Sequence, residues 1–184
     1  RQFKDEEYMI RSKLGAIYSP INSRFVMREK LQVLEDLAPK VLISRAAHGE
    51  EVAALRATGK LPGIGAWPLI DAPADGVPAK GMRDYEAMLV QAPARGPAPE
   101  IVDDDPVFIS FTGGSSGIPK GVMLSHRNMT AAGINFIVTG GIGRDDVYFV
   151  VGPLFYIALA VPIGFWMAGA RVVVANFEAG RALD

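Results

Sequence analysis

Apolar residues recur along this chain in two patterns, one helical and one strand-like. Residues 27–38 place leucines on one helical face and charged side chains, Lys30 among them, on the other. Pro39 ends this predicted helix, and the apolar run at 41–44 that follows predicts a short buried strand. The same patterns predict further helices over 50–56, 85–90, 125–137 and 158–167, and further strands over 64–70, 105–110, 147–151 and 171–175.

The predicted strands and helices alternate along the chain, which indicates an α/β fold. We expect a mostly parallel sheet covered by helices, because alternating elements of this kind form parallel crossover units. Ligands of such folds bind at the carboxyl ends of the strands. The strand over 105–110 runs directly into a glycine-rich loop, so we expect a ligand site there.

One uncharged stretch, residues 147–170, is long enough to cross a bilayer. Gly152-Pro153 and Pro162-Ile163-Gly164 interrupt it, and a strand-like run of valine and aromatic residues opens it. A buried strand followed by a buried helix explains the same composition. We therefore predict no transmembrane segment.

Composition narrows the classes of protein further. The 184 residues suffice for one domain, and 49% hydrophobic with 21% charged residues is typical of a globular protein. The net charge of −1 gives no electrostatic reason to expect nucleic acid as a partner. The absence of cysteine excludes disulfides and fits a cytoplasmic location. Because the chain begins at Arg1 without a signal pattern, we expect a piece of a longer protein.

The stretch 111–122 reads Phe-Thr-Gly-Gly-Ser-Ser-Gly-Ile-Pro-Lys-Gly-Val. Its glycines allow backbone N–H groups to close around an anion, its hydroxyls add donors, and its lysine adds a positive charge. We name residues 112–120 the phosphate loop. The candidate phosphate-binding residues are Thr112, Gly113, Gly114, Ser115, Ser116, Gly117 and Lys120.

Two common phosphate-binding motifs do not match this loop. A Walker loop needs a second glycine where Pro119 stands and a hydroxyl where Gly121 stands. The dinucleotide pattern Gly-x-Gly-x-x-Gly is also absent. The loop instead resembles the signature of the adenylate-forming superfamily, Thr-Ser-Gly-Thr/Ser-Thr/Ser-Gly-x-Pro-Lys-Gly-Val. It departs at Gly113, where that signature has serine, and the following Ser125-His126-Arg127-Asn128 continues the likeness.

The resemblance implies that residues 1–184 are a fragment of the large N-terminal AMP-binding domain of an acyl-CoA synthetase, without the C-terminal domain. It implies ATP-dependent activation of a carboxylic acid to an acyl-adenylate and then to acyl-CoA, with ATP, Mg²⁺ and coenzyme A. Thr112, Ser115, Ser116 and Lys120 would hold the β- and γ-phosphates. The apolar stretch 147–165 suits a fatty acid, and the resemblance allows a homodimer.

A second stretch, Pro153-Leu154-Phe155-Tyr156, resembles the superfamily's Pro-Leu-Phe-His near the acyl pocket. Phe155 and Tyr156 would then line that pocket, although a half-buried core tyrosine explains Tyr156 equally well. No catalytic residue is assigned, since Lys60 in Thr58-Gly59-Lys60 lies on the wrong side of the phosphate loop for the superfamily's catalytic lysine.

No metal site is predicted from the residues themselves. His48 and His126 have no spaced partner for a metal, and we interpret Asp103-Asp104-Asp105 as an acidic turn before a strand. The superfamily's later adenine and ribose motifs are absent from these residues. Two hypotheses therefore stay open: part of an acyl-CoA ligase, inactive alone, or a non-catalytic phosphate- or acyl-binding module of the same ancestry.

Overall fold

The computed structural model of the chain describes residues 13–72, 81–93, 95–96, 98–112, 119–150 and 160–174. Its contacts divide the chain into two compact units. Unit I comprises residues 1–22 and 97–184, and unit II comprises residues 23–96.

Unit II is a small helix-covered parallel sheet. Its elements are α1 (Met27–Leu37), β1 (Ser44–Arg45), a 3₁₀ turn (Ala46–His48), α2 (Gly49–Ala57), β2 (Pro68–Ile70), β3 (Arg83–Asp84) and α3 (Tyr85–Gln91). The strand order is β1-β2-β3, and both pairs are parallel. The strand predicted at 41–44 begins with an isolated bridge at Val41 and continues as β1.

Helix α1 differs from its prediction in the face that it buries. The buried residues are Lys30, Val33 and Leu34, whereas the sequence pattern predicted that Lys30 lies on the outer face. That prediction was wrong because Lys30 forms an ion pair with Glu51 of α2, at 2.5 Å from Nζ to Oε1. A partner on another helix is invisible to the periodicity of a single segment.

Unit I contains the longer strands. Its described elements are β4 (Pro106–Thr112), β5 (Lys120–Ser125), α4 (His126–Gly140), β6 (Val147–Val150), α5 (Ala160–Met167) and β7 (Arg171–Val174). Strands β4 and β5 are antiparallel, and β6 and β7 are parallel. Tyr18 forms a parallel bridge with Phe108, which places a further extended segment against β4. The predicted α/β fold with mostly parallel pairing is thus confirmed.

Strand β5 was not predicted, since the sequence pattern passed directly from the phosphate loop to a helix at Ser125. The helix itself is confirmed, with Ser125 as its N-cap, but the six residues before it pair with β4. Pro119 and Gly121 disfavour a strand locally, and only the pairing with β4 makes one there.

The core of unit I forms where the start of β4 meets helices α4 and α5. Val107 and Phe108 of β4 pack with Met129 of α4 and Ile163 of α5, and all four are buried. Among the described residues no helix is long and apolar enough to span a membrane. The prediction of a strand and a helix within 147–170 is confirmed by β6 and α5.

Candidate phosphate-binding site

Thr112 and Lys120 lie opposite each other at the neck of the phosphate loop, as the last register pair of the β4–β5 hairpin. The Thr112 hydroxyl donates a long hydrogen bond to the Lys120 carbonyl oxygen, 3.4 Å from Oγ1 to O. Directly opposed residues of an antiparallel pair project from the same face of the sheet. The hairpin therefore brings a hydroxyl and an ammonium group to one side of the loop.

The Lys120 side chain is exposed, and no ion pair to it is formed by any residue that the structure describes. Among the described residues, no carboxylate would therefore have to be displaced before the Lys120 ammonium group met an anion. The bond between Thr112 and the carbonyl of Lys120 is long, so an anion could also compete for that hydroxyl.

Gly121 allows close side-chain packing on the opposite face of the hairpin. A Cβ atom at this position would lie 3.1 Å from Cγ2 of Ile109 and 3.2 Å from Cζ of Phe111. Only glycine therefore lets the Phe111 ring lie across β5 without displacement. Sequence reasoning did not detect this packing role, because it depends on the unpredicted register pair of Phe111 with Gly121.

The end of the hairpin remote from the loop is marked by the N-cap of α4. Ser125 caps α4: its Oγ accepts a hydrogen bond from the Asn128 backbone N–H at 3.3 Å. In return, the Asn128 side-chain oxygen accepts from the Ser125 N–H at 3.0 Å. This reciprocal capping satisfies donors of the first helical turn and fixes where β5 stops. The turn predicted at Asp103–Asp105 precedes β4 here.

Several predicted site residues lie outside the described part of the chain. For the phosphate loop these are Gly113, Gly114, Ser115, Ser116 and Gly117, and for the acyl pocket they are Phe155 and Tyr156. Their assignments stay predictions. Within the described residues no three histidine, aspartate or glutamate side chains cluster as a metal site would require.

The family of the chain follows from comparison with known proteins. The model of the AMP-binding enzyme family matches residues 12–183, which is nearly the whole chain. The chain therefore belongs to the AMP-binding enzyme family, as the phosphate loop predicted.

Named relatives are ligases of carboxylic acids. FadD13 of Mycobacterium tuberculosis, a long-chain-fatty-acid–CoA ligase, is 31% identical over 154 residues, covering 84% of this chain and 28% of that protein. Feruloyl-CoA synthase of an Amycolatopsis species is 35% identical over 173 residues, covering 92% of this chain and 31% of that protein. The chain thus spans under a third of the length of these relatives.

A solved structure agrees with the sequence relatives. The inhibitor-bound N-terminal domain of FACL13 from Mycobacterium tuberculosis superposes with a TM-score of 0.79 at 28% identity. The superposition covers 94% of this chain and 41% of that structure. The α/β fold described above is therefore the fold of an N-terminal domain in this family.

Proposed function

We propose that this chain forms part of the N-terminal AMP-binding domain of an acid–CoA ligase. Family membership supports the proposal, as do relatives named as ligases of fatty and aromatic acids. The observation that carries it is the pairing of Thr112 with Lys120 at the neck of the phosphate loop. An exposed ammonium group beside a hydroxyl is suited to phosphate oxygens.

The reaction has two steps. A carboxylate oxygen of the acid attacks the α-phosphorus of ATP, the bond to the β-phosphate oxygen breaks, and acyl-adenylate and pyrophosphate form. The thiol sulfur of coenzyme A then attacks the acyl carbon and loses its proton, and AMP leaves. This chemistry requires a carboxylic acid, ATP and coenzyme A as partners.

Thr112 and Lys120 act on the leaving pyrophosphate in this proposal. Together with Ser115, Ser116 and the loop N–H groups, they hold the β- and γ-phosphates while negative charge builds on the leaving group. Positive charge and donors placed there beforehand stabilise that charge without reorganisation. The same contacts hold the α-phosphorus in line for the carboxylate.

The described residues do not fit a Mg²⁺ site. The carboxylates nearest the hairpin in sequence are in the turn Asp103–Asp105, which precedes the first residue of β4 rather than the loop. The Asp104 carboxylate is occupied by the Arg127 guanidinium. We therefore assign no step of the reaction to a metal held by these residues. The acyl-pocket role of Phe155 and Tyr156, a homodimer and a cytoplasmic location stay predictions.

Acid-dependent exchange of labelled pyrophosphate into ATP tests this function. The full-length protein should catalyse the exchange with at least one acid from a panel of fatty and aromatic acids. The purified 184-residue chain should not, because the adenine and ribose motifs of the superfamily are absent from it.

Exchange by the 184-residue chain alone would contradict the predicted inactivity. No exchange by the folded full-length protein with any acid of the panel would contradict the ligase proposal and favour a binding module. Equilibrium dialysis with labelled ATP would then show whether the loop still binds a nucleotide.

A further inference from the structure

The acidic turn before β4 and the first turn of α4 are joined by several hydrogen bonds, and we name this junction the hairpin base. The Arg127 N–H donates to the Asp103 carbonyl at 2.8 Å, and the His126 N–H donates to the Asp105 carbonyl at 3.1 Å. The Arg127 guanidinium also contacts the Asp104 carboxylate, from Nε to Oδ1 at 2.8 Å and from Nη2 to Oδ2 at 3.4 Å.

This contact uses the geometry of arginine. Two N–H groups meet two carboxylate oxygens, which restrains the orientation of both side chains as a single lysine contact would not. The second oxygen pair is longer than the first, and Oδ2 of Asp103 lies 3.9 Å from the same guanidinium. Arg127 therefore faces two neighbouring carboxylates of the turn.

The hairpin base lies where the register of β4 and β5 begins. Pro106 pairs with Ser125, a register shift follows before Phe108, and regular pairing then runs to Thr112 and Lys120. Because successive strand residues point to opposite faces, a shift of one residue would move Lys120 away from the Thr112 side. At this irregular start the two strands are joined by the contacts of the hairpin base as well as by their own pairing.

We propose that Arg127 and Asp104 are positioning residues, which hold Thr112 and Lys120 in the register that phosphate binding requires. The inference rests on the proposed adenylation function. Neither residue belongs to the phosphate loop, and both act through the hairpin. Their sequence positions on either side of the loop, 104 and 127, allow one ion pair to close the hairpin at its base.

The exposure of the pair separates this role from a contribution to overall stability. The side chains of Arg127 and Asp104 are 62% and 77% exposed, and ion pairs this exposed contribute little to the stability of a fold. Loss of Arg127 should therefore leave the protein folded. The loss should instead lower the local order of the hairpin and slow the adenylation step, in which the phosphate loop binds ATP.

The test compares variants of the full-length protein. In Arg127→Ala, kcat/KM for ATP should fall about three- to tenfold, because small displacements of positioning groups are costly in rate. KM for the acid should not change, and the melting temperature should fall by no more than about 2 °C. The exchanged pair Asp104→Arg with Arg127→Asp should recover part of the loss, since it restores the ion pair between positions 104 and 127 but places a carboxylate near Asp103.

Arg45→Ala is the matched control. It removes the Arg45–Asp71 ion pair of unit II, whose shortest N–O distance of 2.7 Å is close to the 2.8 Å of Arg127–Asp104 and whose side chains are 58% and 57% exposed. Its kinetics should equal those of the wild type. In addition, high salt should reduce the difference in kcat/KM for ATP between Arg127→Ala and the wild type, because salt screens exposed charges.

Amide hydrogen exchange of the peptides covering β4 and β5 is a second readout that needs no activity. Exchange should be faster in Arg127→Ala than in the wild type and should be slowed again, in part, in the exchanged pair. If the wild type lacks adenylation activity, the proposed function fails, while this readout still tests the hairpin base. Unchanged hydrogen exchange in Arg127→Ala would overturn the inference. Faster exchange with wild-type ATP kinetics would also overturn it, because the contact would then be structural only.

Discussion

Lys120 and Gly121 are neighbours in sequence but lie on opposite faces of the hairpin. Lys120 shares its face with Thr112, and Gly121 lies against the side chains of Ile109 and Phe111. Lys120 can stay exposed because packing on the other face secures the backbone that carries it. We infer that Gly121 is needed for the packing of the hairpin and not for contact with phosphate.

Replacement of Gly121 tests this packing role. Gly121→Val should lower the free energy of unfolding by about 1–3 kcal/mol, because its side chain would force Phe111 and Ile109 to move. Gly63→Ala is the control, since no atom lies within 4 Å of a Cβ placed there, and it should stay within about 0.5 kcal/mol. Urea denaturation of the purified chain measures both. A Gly121→Val protein as stable as the control would refute the packing role.

The ion pair of the hairpin base should make the stability of this junction depend on pH. The Arg127 guanidinium lowers the pKa of Asp104 below its ordinary value of 3.8, by hydrogen bonding first and by charge second. A carboxyl whose pKa is lowered on folding contributes stability above its unfolded pKa and loses it as the pH falls through the folded pKa. The contact should therefore persist at neutral pH and be lost only in acid.

Carboxyl NMR titration of Asp104 in the purified chain measures this shift. The midpoint should lie below 3.8 in the wild type and move back up towards that value in Arg127→Ala. An equal midpoint in both proteins would show that Arg127 does not stabilise the ionised form of Asp104 in solution.

The helices were easier to predict than strand β5, which brings Lys120 opposite Thr112. Helix α4 carries its own N-terminal signal, because Ser125 and Asn128 cap each other within three residues. Strand β5 has no such local signal: its apolar run is short and follows a proline and a glycine. It exists because β4 lies beside it, and pairing between segments is not encoded in either segment alone.

Helices α4 and α5 approach each other closely through two glycines. A Cβ at Gly164 would lie 2.9 Å from Cβ of Phe136 and 3.1 Å from the Gly133 carbonyl oxygen. A Cβ at Gly133 would instead meet the flexible Met167 sulfur at 2.6 Å. The contact at Gly164 is thus with rigid atoms and the contact at Gly133 mainly with a movable one.

Gly164→Ala should therefore destabilise the chain by about 1–3 kcal/mol, and by more than Gly133→Ala. Gly143→Ala is the control in the same unit, because the nearest atom to its Cβ is 3.9 Å away. Denaturant unfolding ranks the three variants. The reverse order of Gly164→Ala and Gly133→Ala would mean that the helices can separate more easily than the side chain of Met167 can turn.

The buried ion pair between α1 and α2 gives a prediction for unit II. Lys30 is 7% exposed and Glu51 is only partly buried. Glu51→Gln would leave a buried ammonium group without its counter-charge and should cost about 1–3 kcal/mol. Lys30→Met fills the same space without charge and should cost less than about 1 kcal/mol. A larger loss for Lys30→Met in urea denaturation would show that the pair itself stabilises the helices.

The chain as a whole shows which part of a binding site can be read from sequence. The sequence alone suffices to propose the phosphate loop, because its residues are consecutive and their chemistry is local, and its role in binding stays a prediction. The hairpin base was not predictable, since Asp104 and Arg127 are brought together only when β4 and β5 pair. Contacts between residues that are distant in sequence are therefore seen only in the structure, whereas the motif is seen in the sequence alone.

The steady-state kinetics of Lys120→Ala in the full-length protein test the phosphate-binding role most directly. Loss of one charge-assisted contact to the leaving pyrophosphate should reduce kcat/KM for ATP by about 10- to 150-fold, equivalent to about 1.5–3 kcal/mol. Lys60→Ala, which removes an exposed lysine from unit II, should change it by no more than about twofold. Wild-type kinetics in a folded Lys120→Ala protein would contradict the role of the loop in binding the phosphates of ATP.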